Sequence, residues 1–460
     1  MPTQCTAEQL EFSCVERRRV VAAFDGGTVS SDAGALLLKR TDEAIGLLDR
    51  LAGCFADRRD PRLIEHSVRT LLGQRVFGMA LGYEDLNDHD TLRHDPVFGV
   101  LLGKLTAQRK SCAALAGKST LNRFELHPVK GATRYHRIVP DVAALEGLFV
   151  ELYLDAHREG PEQIILDLDA TDDPLHGHQE GRFFHGYYDG YCYLPLYIFA
   201  GEHLLVAKLR RADIDGSAGA LEEVQRVIAQ IRKRWASTRI ILRADSGFAR
   251  DALMSWCEQN AVDYLFGLAR NKRLQRAIGA ELRAAKRESQ ATGRPARRFR
   301  ELRYSTRKSW SRSRRVVGKA EHTGDKSNPR FVVTSLSTHS WDARSLYEEL
   351  YCARGEMENR IKEAQLDLFA DRLSTETFRA NQLRLWLSSC AYVLMHALRR
   401  IGLAGTQFAR ASAHTMRLKL LKIGAVITVS VRRIRLALSS AHPHQAEYHA
   451  AFHALGAAAR

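Results

Sequence analysis

Two apolar runs that each end in an aspartate constrain this chain more than any other feature. Residues 164–169 read Ile-Ile-Leu-Asp-Leu-Asp, so as a strand they place Asp167 and Asp169 on one face. Residues 239–244 form a second run with the character of a buried strand, and Asp245-Ser246-Gly247-Phe248 follows it. That puts Asp245 at the C-terminal end of a strand, where open α/β sheets hold their ligands. A carboxylate beside buried backbone is stable only with a cation or hydrogen-bond donors as company.

The segments around these runs define a fold. Residues 193–200 and 204–209 read as antiparallel strands joined by Gly201-Glu202-His203, which with the first run makes a meander. Residues 218–235 carry Leu221, Val224, Val227, Ile228 and Ile231 at helical spacing with charges opposite. A helix over 250–259 and a strand over 263–268 follow. The order β-β-β-α-β-α-β is that of a ribonuclease-H-like core, which needs one further helix. Residues 350–368 supply it: Leu350, Ala353, Met357, Ile361, Ala364 and Leu368 form an apolar stripe, with Tyr351, Arg354, Glu358 and Lys362 one position round. In isolation that polar stripe also reads as a surface helix laced with i,i+4 ion pairs, each worth a few tenths of a kcal/mol. Three acids bordering buried segments point instead to a two-metal phosphoryl-transfer site.

The expected organisation is α/β: a mostly helical N-terminal region over 1–140, the first part of the core over 160–270, a basic β-rich insertion over 271–337, the core helix carrying the glutamate over 338–375, and a C-terminal α/β extension over 376–460. The insertion is marked by composition. Between Arg270 and Lys319 there are eighteen Lys and Arg against three Glu, while alternation at Phe299, Leu302, Tyr304 and Val316-Val317 predicts strands.

The formal net charge of +16 favours a polyanionic partner, since each Lys or Arg laid against a phosphate releases counterion. A membrane is the competing surface, but the best apolar segment, residues 385–398, is short and flanked by Arg384 and Arg399. Residues 1–19 lack a secretory pattern, so a cytoplasmic, nucleoid-associated protein is expected. The eight cysteines are scattered without a Cys-x-x-Cys pair, which argues against a disulfide framework or a cysteine-rich zinc module.

Other constellations have plainer readings. Gly117-Lys118-Ser119-Thr120 ends like a phosphate-binding loop, but Cys112 stands where the earlier glycine is required, so no nucleotide cofactor is expected. His176-x-His178 with His185 could chelate a metal, although a loop packed beside the active site explains it better. Asp85, Asp88, His89, Asp90, His94 and Asp95 are explained by helix capping and turns. Residues 116–125 fit either the second helix of a helix-turn-helix or an ordinary capped helix, so DNA binding is expected of the N-terminal region over 1–140 without any base-reading residue being named.

The residues of the last core helix resemble the Y-x-x-R-x-x-x-E signature of DDE insertion-sequence transposases. Asp169-Ala170-Thr171 resembles the D-G-T of their first strand, and Asp245-Ser246-Gly247-Phe248 the D-R-G-Y after their fourth. Residues 82–90, Gly-Tyr-Glu-Asp-Leu-Asn-Asp-His-Asp, and Asp173-Pro174-Leu175-His176-Gly177 are similar to insertion sequence family 1380 in particular. The resemblance implies an enzyme that cuts DNA at the ends of its element and transfers the strand into target DNA. Asp169, Asp245 and Glu358 would hold two Mg²⁺, with Mn²⁺ able to substitute, and Asp167 stays open as an alternative ligand. Tyr351, Arg354 and Lys362 would contact DNA phosphates. The implied partners are double-stranded DNA, as terminal inverted repeats and as target, and a second copy pairing two ends. Two positions depart from the pattern: Gln365 stands where relatives often place a second lysine, and Gly355 where a tryptophan follows the arginine. A silent DNA-binding derivative should have lost an acid; a nuclease without strand transfer would share all three.

Overall fold

The computed structural model describes residues 8–126, 136–324 and 326–459. Contacts divide the chain into two units: Met1–Ala52, Asp57–Phe124 and Leu394–Arg460 form one, and Gly53–Ala56 with Glu125–Val393 the other.

The second unit is built on a nine-stranded mixed sheet among the described residues. Its principal strands are β1 (Gln163–Ala170), β2 (Leu196–Ala200), β3 (His203–Lys208), β4 (Arg239–Ala244), β5 (Asp263–Leu268), β6 (Ala296–Tyr304), β7 (Arg314–Thr323) and β8 (Arg330–Thr334). They lie in the order β3-β2-β1-β4-β5-β8-β7-β6, with short Lys326–Ser327 against β7. β1, β4 and β5 run parallel, while β2 and β8 flank this trio antiparallel. Parallel strands need cover on both faces, and residue parity decides what covers each.

Ile164, Leu166, Leu168, Ile240, Leu242, Tyr264 and Phe266 pack under helices α1 (Ala220–Arg234) and α2 (Asp251–Gln259). Ile165, Ile241, Leu265, Val317 and Val332 face the other way, against Leu346, Tyr347 and Leu350. α1 is anchored by its apolar stripe and aligned with its dipole, Glu222 and Glu223 in the first turn and Arg232, Lys233 and Arg234 in the last. Asp167, Asp169 and Arg243 share parity with Ile165 and Ile241, so they project toward the segment that begins at Leu346.

The runs at 239–244 and 263–268 are strands with the expected bounds. The expected strand over 193–200 is shorter. Pro195 cannot donate to a ladder, so β2 starts at Leu196, and Tyr193 instead ends a hairpin of Phe183–His185 and Gly190–Tyr193. In the basic stretch, helix α3 (Gly279–Thr292) precedes the strands, and β6, β7 and β8 extend the main sheet beyond β5. Much of that stretch's charge is met internally: Arg297 pairs with Glu321, Arg298 with Glu288, and Arg314 with Asp251 and Glu258.

In the first unit, Val29–Ser30 pairs with Ala425–Val429, which pairs in turn with Ile434–Leu438, so the two chain ends share one three-stranded sheet. Helix Val68–Leu81 is buried nearly all round and closes on Gly82 in the left-handed region. Asp85 and Asp95 cap the turns that follow them, and Asp90 accepts from the Lys118 backbone N–H. Lys118 opens a helix that runs to Glu125. No described helix is long and apolar enough to cross a membrane.

Candidate active site

Register brings the two aspartates together. Ala244 on β4 lies opposite Leu168 on β1, so Asp245 and Asp169, one residue further along each parallel strand, leave the same end of the sheet. Asp245 accepts a 2.8 Å hydrogen bond from the Gly247 N–H, an Asx turn that fixes the carboxylate and diverts the chain out of the sheet. Asp169 accepts from the Ala170 N–H at 3.0 Å.

The third acid arrives on an irregular helix. Residues Leu346–Tyr351 form a wide π turn, Cys352–Arg354 a tight one, and α4 (Gly355–Lys362) the regular part, followed by a second π turn over Glu363–Asp367. Met357, Ile361, Ala364 and Leu368 are buried, which holds Tyr351, Arg354, Glu358 and Lys362 along the border of the core. Arg354 bridges the acids, donating to Glu358 at 2.9 Å and standing 3.6 Å from Asp169.

Asp169, Asp245, Glu358, Arg354 and Lys362 line one cleft of about 570 Å³. A slightly larger cleft, about 670 Å³, lies at the other end of β5, where Arg314 and Arg315 are already paired with Asp251, Glu258 and Glu301. The electrostatics of the acid cleft are strained. Burial first, then repulsion from Asp245 and Glu358, pushes the Asp169 carboxyl up to about 6 against the pull of Arg354 and the Ala170 N–H. Burial works against the charge on Arg354, but Asp169, Tyr351, Glu358 and Asp245 hold its pKa above the usual value. Burial also raises Tyr351.

Asp167 has a different fate. Both its oxygens are gripped by Arg243, Nε at 2.5 Å and an Nη at 2.8 Å, and the same guanidinium donates to the Leu350 carbonyl at 2.6 Å. Burial raises the Asp167 pKa while Arg243 lowers it. Both Asp167 oxygens are thus engaged by Arg243, and Asp167 is not among the residues that line the cleft. Arg243 ties β1, β4 and the helix together. A lone arginine inside an apolar run was its signal in the sequence.

Two further residues position the site. A Cβ on Gly267 of β5 would lie 2.6 Å from the Tyr351 hydroxyl and 2.8 Å from the Ser246 nitrogen, so only glycine lets Tyr351 approach the Asp245 turn. Gln365 donates to the Asp172 carbonyl at 3.1 Å and to Asp173 at 2.7 Å, linking the turn after Asp169 to the helix that carries Glu358. Of the three histidines considered as chelators, His185 lines the cleft, with a buried Nδ1 that meets no hydrogen-bond partner among the described residues. His176 and His178 are exposed.

Among the described residues no three His, Cys, Asp or Glu side chains converge closely enough to hold one ion. Arg354 instead supplies the positive charge between Asp169 and Glu358. The donor set nevertheless suits a hard divalent cation, being all-oxygen and carboxylate-rich.

A family model described as "Transposase DDE domain group 1" matches residues 12–459. No curated protein matches the chain. Seven chains of solved structures do; one is a cryo-EM structure of a piggyBac transposase synaptic complex with hairpin DNA, 12% identical, aligned over 85% of this chain and 80% of that one, with a TM-score of 0.39.

Proposed function

The chain belongs to the DDE-domain transposases of group 1, a class whose work is DNA transposition, and from that premise we propose a cut-and-paste transposase of the insertion sequence family 1380 type. It would nick DNA at the terminal inverted repeats of its element and join the freed 3′-hydroxyls to target DNA, acting as a dimer on paired ends in the nucleoid-associated cytoplasm. One observation carries the reading. Acids from three separated segments, Asp169, Asp245 and Glu358, line a single cleft with Arg354 and Lys362. The strand order β3-β2-β1-β4-β5 with β1, β4 and β5 parallel supports a ribonuclease-H-like core for it.

In this reading Asp169, Asp245 and Glu358 are the ligands of two Mg²⁺, and Mn²⁺ serves in their place. Such ions, when bound, activate the attacking hydroxyl and neutralise charge at the leaving oxygen. The chain's own side chains do the rest. Arg354 and Lys362 hold the phosphates flanking the scissile bond, Arg354 with the planar fork suited to paired phosphate oxygens. Tyr351, pressed against the Asp245 turn through Gly267, orients the backbone by hydrogen bonding or stacking. Arg243 and Gln365 hold the acid-bearing elements in register. No covalent protein intermediate is needed.

The test is an end-joining assay: a labelled duplex carrying the element's own end and flank, a supercoiled target, and Mg²⁺ or Mn²⁺. Release of a 3′-hydroxyl end that becomes joined to target is the expected result. Cleavage without joining, on paired ends and with either metal, would reduce the protein to a nuclease.

A further inference from the structure

The hairpin of Phe183–His185 and Gly190–Tyr193 exposes more aromatic surface than folding explains. Phe184 and Tyr191 are cross-strand partners, so they share a face, and they are 55% and 48% exposed. Tyr187, in the turn, is 84% exposed. The opposite face accounts for the hairpin's stability, because Phe183 and Cys192 pack there with Leu194 and Ala212. The outward rings contribute nothing to that core.

These rings are ordered relative to one another. Phe184 meets Tyr191 edge-on at 5.7 Å, Tyr187 meets Tyr188 at 5.0 Å, and the Arg182 guanidinium lies 4.6 Å above the Tyr191 ring. The turn reaches the acids: Tyr187, Tyr188 and His185 line the same cleft as Asp169, Asp245 and Glu358. Exposed rings beside cations, at the mouth of a carboxylate site, match a strand of nucleic acid, with the rings for the bases and Lys362 for the phosphates, while Arg182, hydrogen-bonded to the Gly177 carbonyl, braces the Tyr191 ring. A duplex hides its base faces, so the rings can be used only where bases are unpaired.

We propose that this hairpin is a stacking platform for unpaired nucleobases at the DNA end being processed, with Tyr187 its principal ring and Phe184 and Tyr191 extending it. The proposal rests on the reading of the cleft as a DNA-cutting site and adds a second ligand surface to it. Aromatic stacking tolerates every base, so the platform recognises an open end rather than a sequence.

The experiment uses the full chain carrying Asp245→Asn, so that DNA stays intact. Its affinity is measured for a blunt duplex and for the same duplex with a short unpaired terminus bearing a fluorescent adenine analogue. The expected preference for the unpaired terminus is about ten-fold, with the analogue's fluorescence changing as it stacks. Adding Tyr187→Ala should erase both signals, and Tyr187→Trp should restore them. Tyr187 is exposed enough that neither change threatens folding. Equal affinity for the two duplexes, or a preference that survives Tyr187→Ala combined with Phe184→Ala, would overturn the platform while leaving the cleavage reading intact. Failure to bind either DNA would overturn both together.

Discussion

Asp167 and Asp169 show what alternation alone tells at the scale of single residues. It puts both acids on one face, and the partner strand gives them different partners. Arg243 lies opposite Asp167 in the parallel ladder and neutralises it, while Asp169 is one step past the end of β4 and meets Arg354 instead. Replacing Arg243 with Ala leaves a buried, unpaired carboxylate, so unfolding in urea should show a loss of about 3–5 kcal/mol, most of it recovered when Asp167→Leu is combined with Arg243→Met. Gly267 was invisible in the sequence because its role is a distance, not a pattern. Gly267→Ala should lower cleavage on the order of 100-fold by displacing Tyr351 and the Asp245 turn, with DNA affinity unchanged in a filter-binding assay; wild-type cleavage by that variant would remove Tyr351 from the site.

At the scale of elements, the strands and helices of the sheet's parallel centre were legible because two-sided burial writes apolar runs and amphipathic helices write stripes. α3 was not, since its buried positions are Ala285 and Ser289, too small to stand out among so many cations. Many of the same cations are met by acids at the surface. Arg297 and Arg298 pair with Glu321, Glu348 and Glu288. Arg307 and Lys308, exposed in the connection between β6 and β7, are the better candidates for contacts with DNA. Reversing both to Glu should weaken binding to every duplex and reduce the slope of log affinity against log salt by about 2, whereas reversal at Arg298 should leave the slope unchanged. Equal effects from both sites would contradict this assignment of the surface.

Across the whole chain, sequence order concealed that the two ends form one unit; the pairing of Val29–Ser30 with Ala425–Val429 joins residues no local pattern connects. That unit carries a built-in acid sensitivity. His89 is fully buried, with Nε2 accepting from Arg75 at 3.1 Å; burial first and Arg75 second push its pKa down to about 3 from an ordinary 6.5. Above pH 6.5 the imidazole is neutral folded or unfolded, and its contribution is complete. As pH falls toward 3 the unfolded chain takes up a proton that the folded chain refuses, so stability drops, by about 2 kcal/mol at around pH 5. His89→Gln should flatten that fall in denaturation measured at both pH values. The central claim is that Asp169, Asp245 and Glu358 act as one site, and its most direct test compares wild type with Asp245→Asn and Glu358→Gln on the same labelled end in Mg²⁺. Cleavage by wild type alone, with all three proteins binding the DNA equally, is the result expected. Cleavage surviving in either variant, or binding lost with it, would contradict the account.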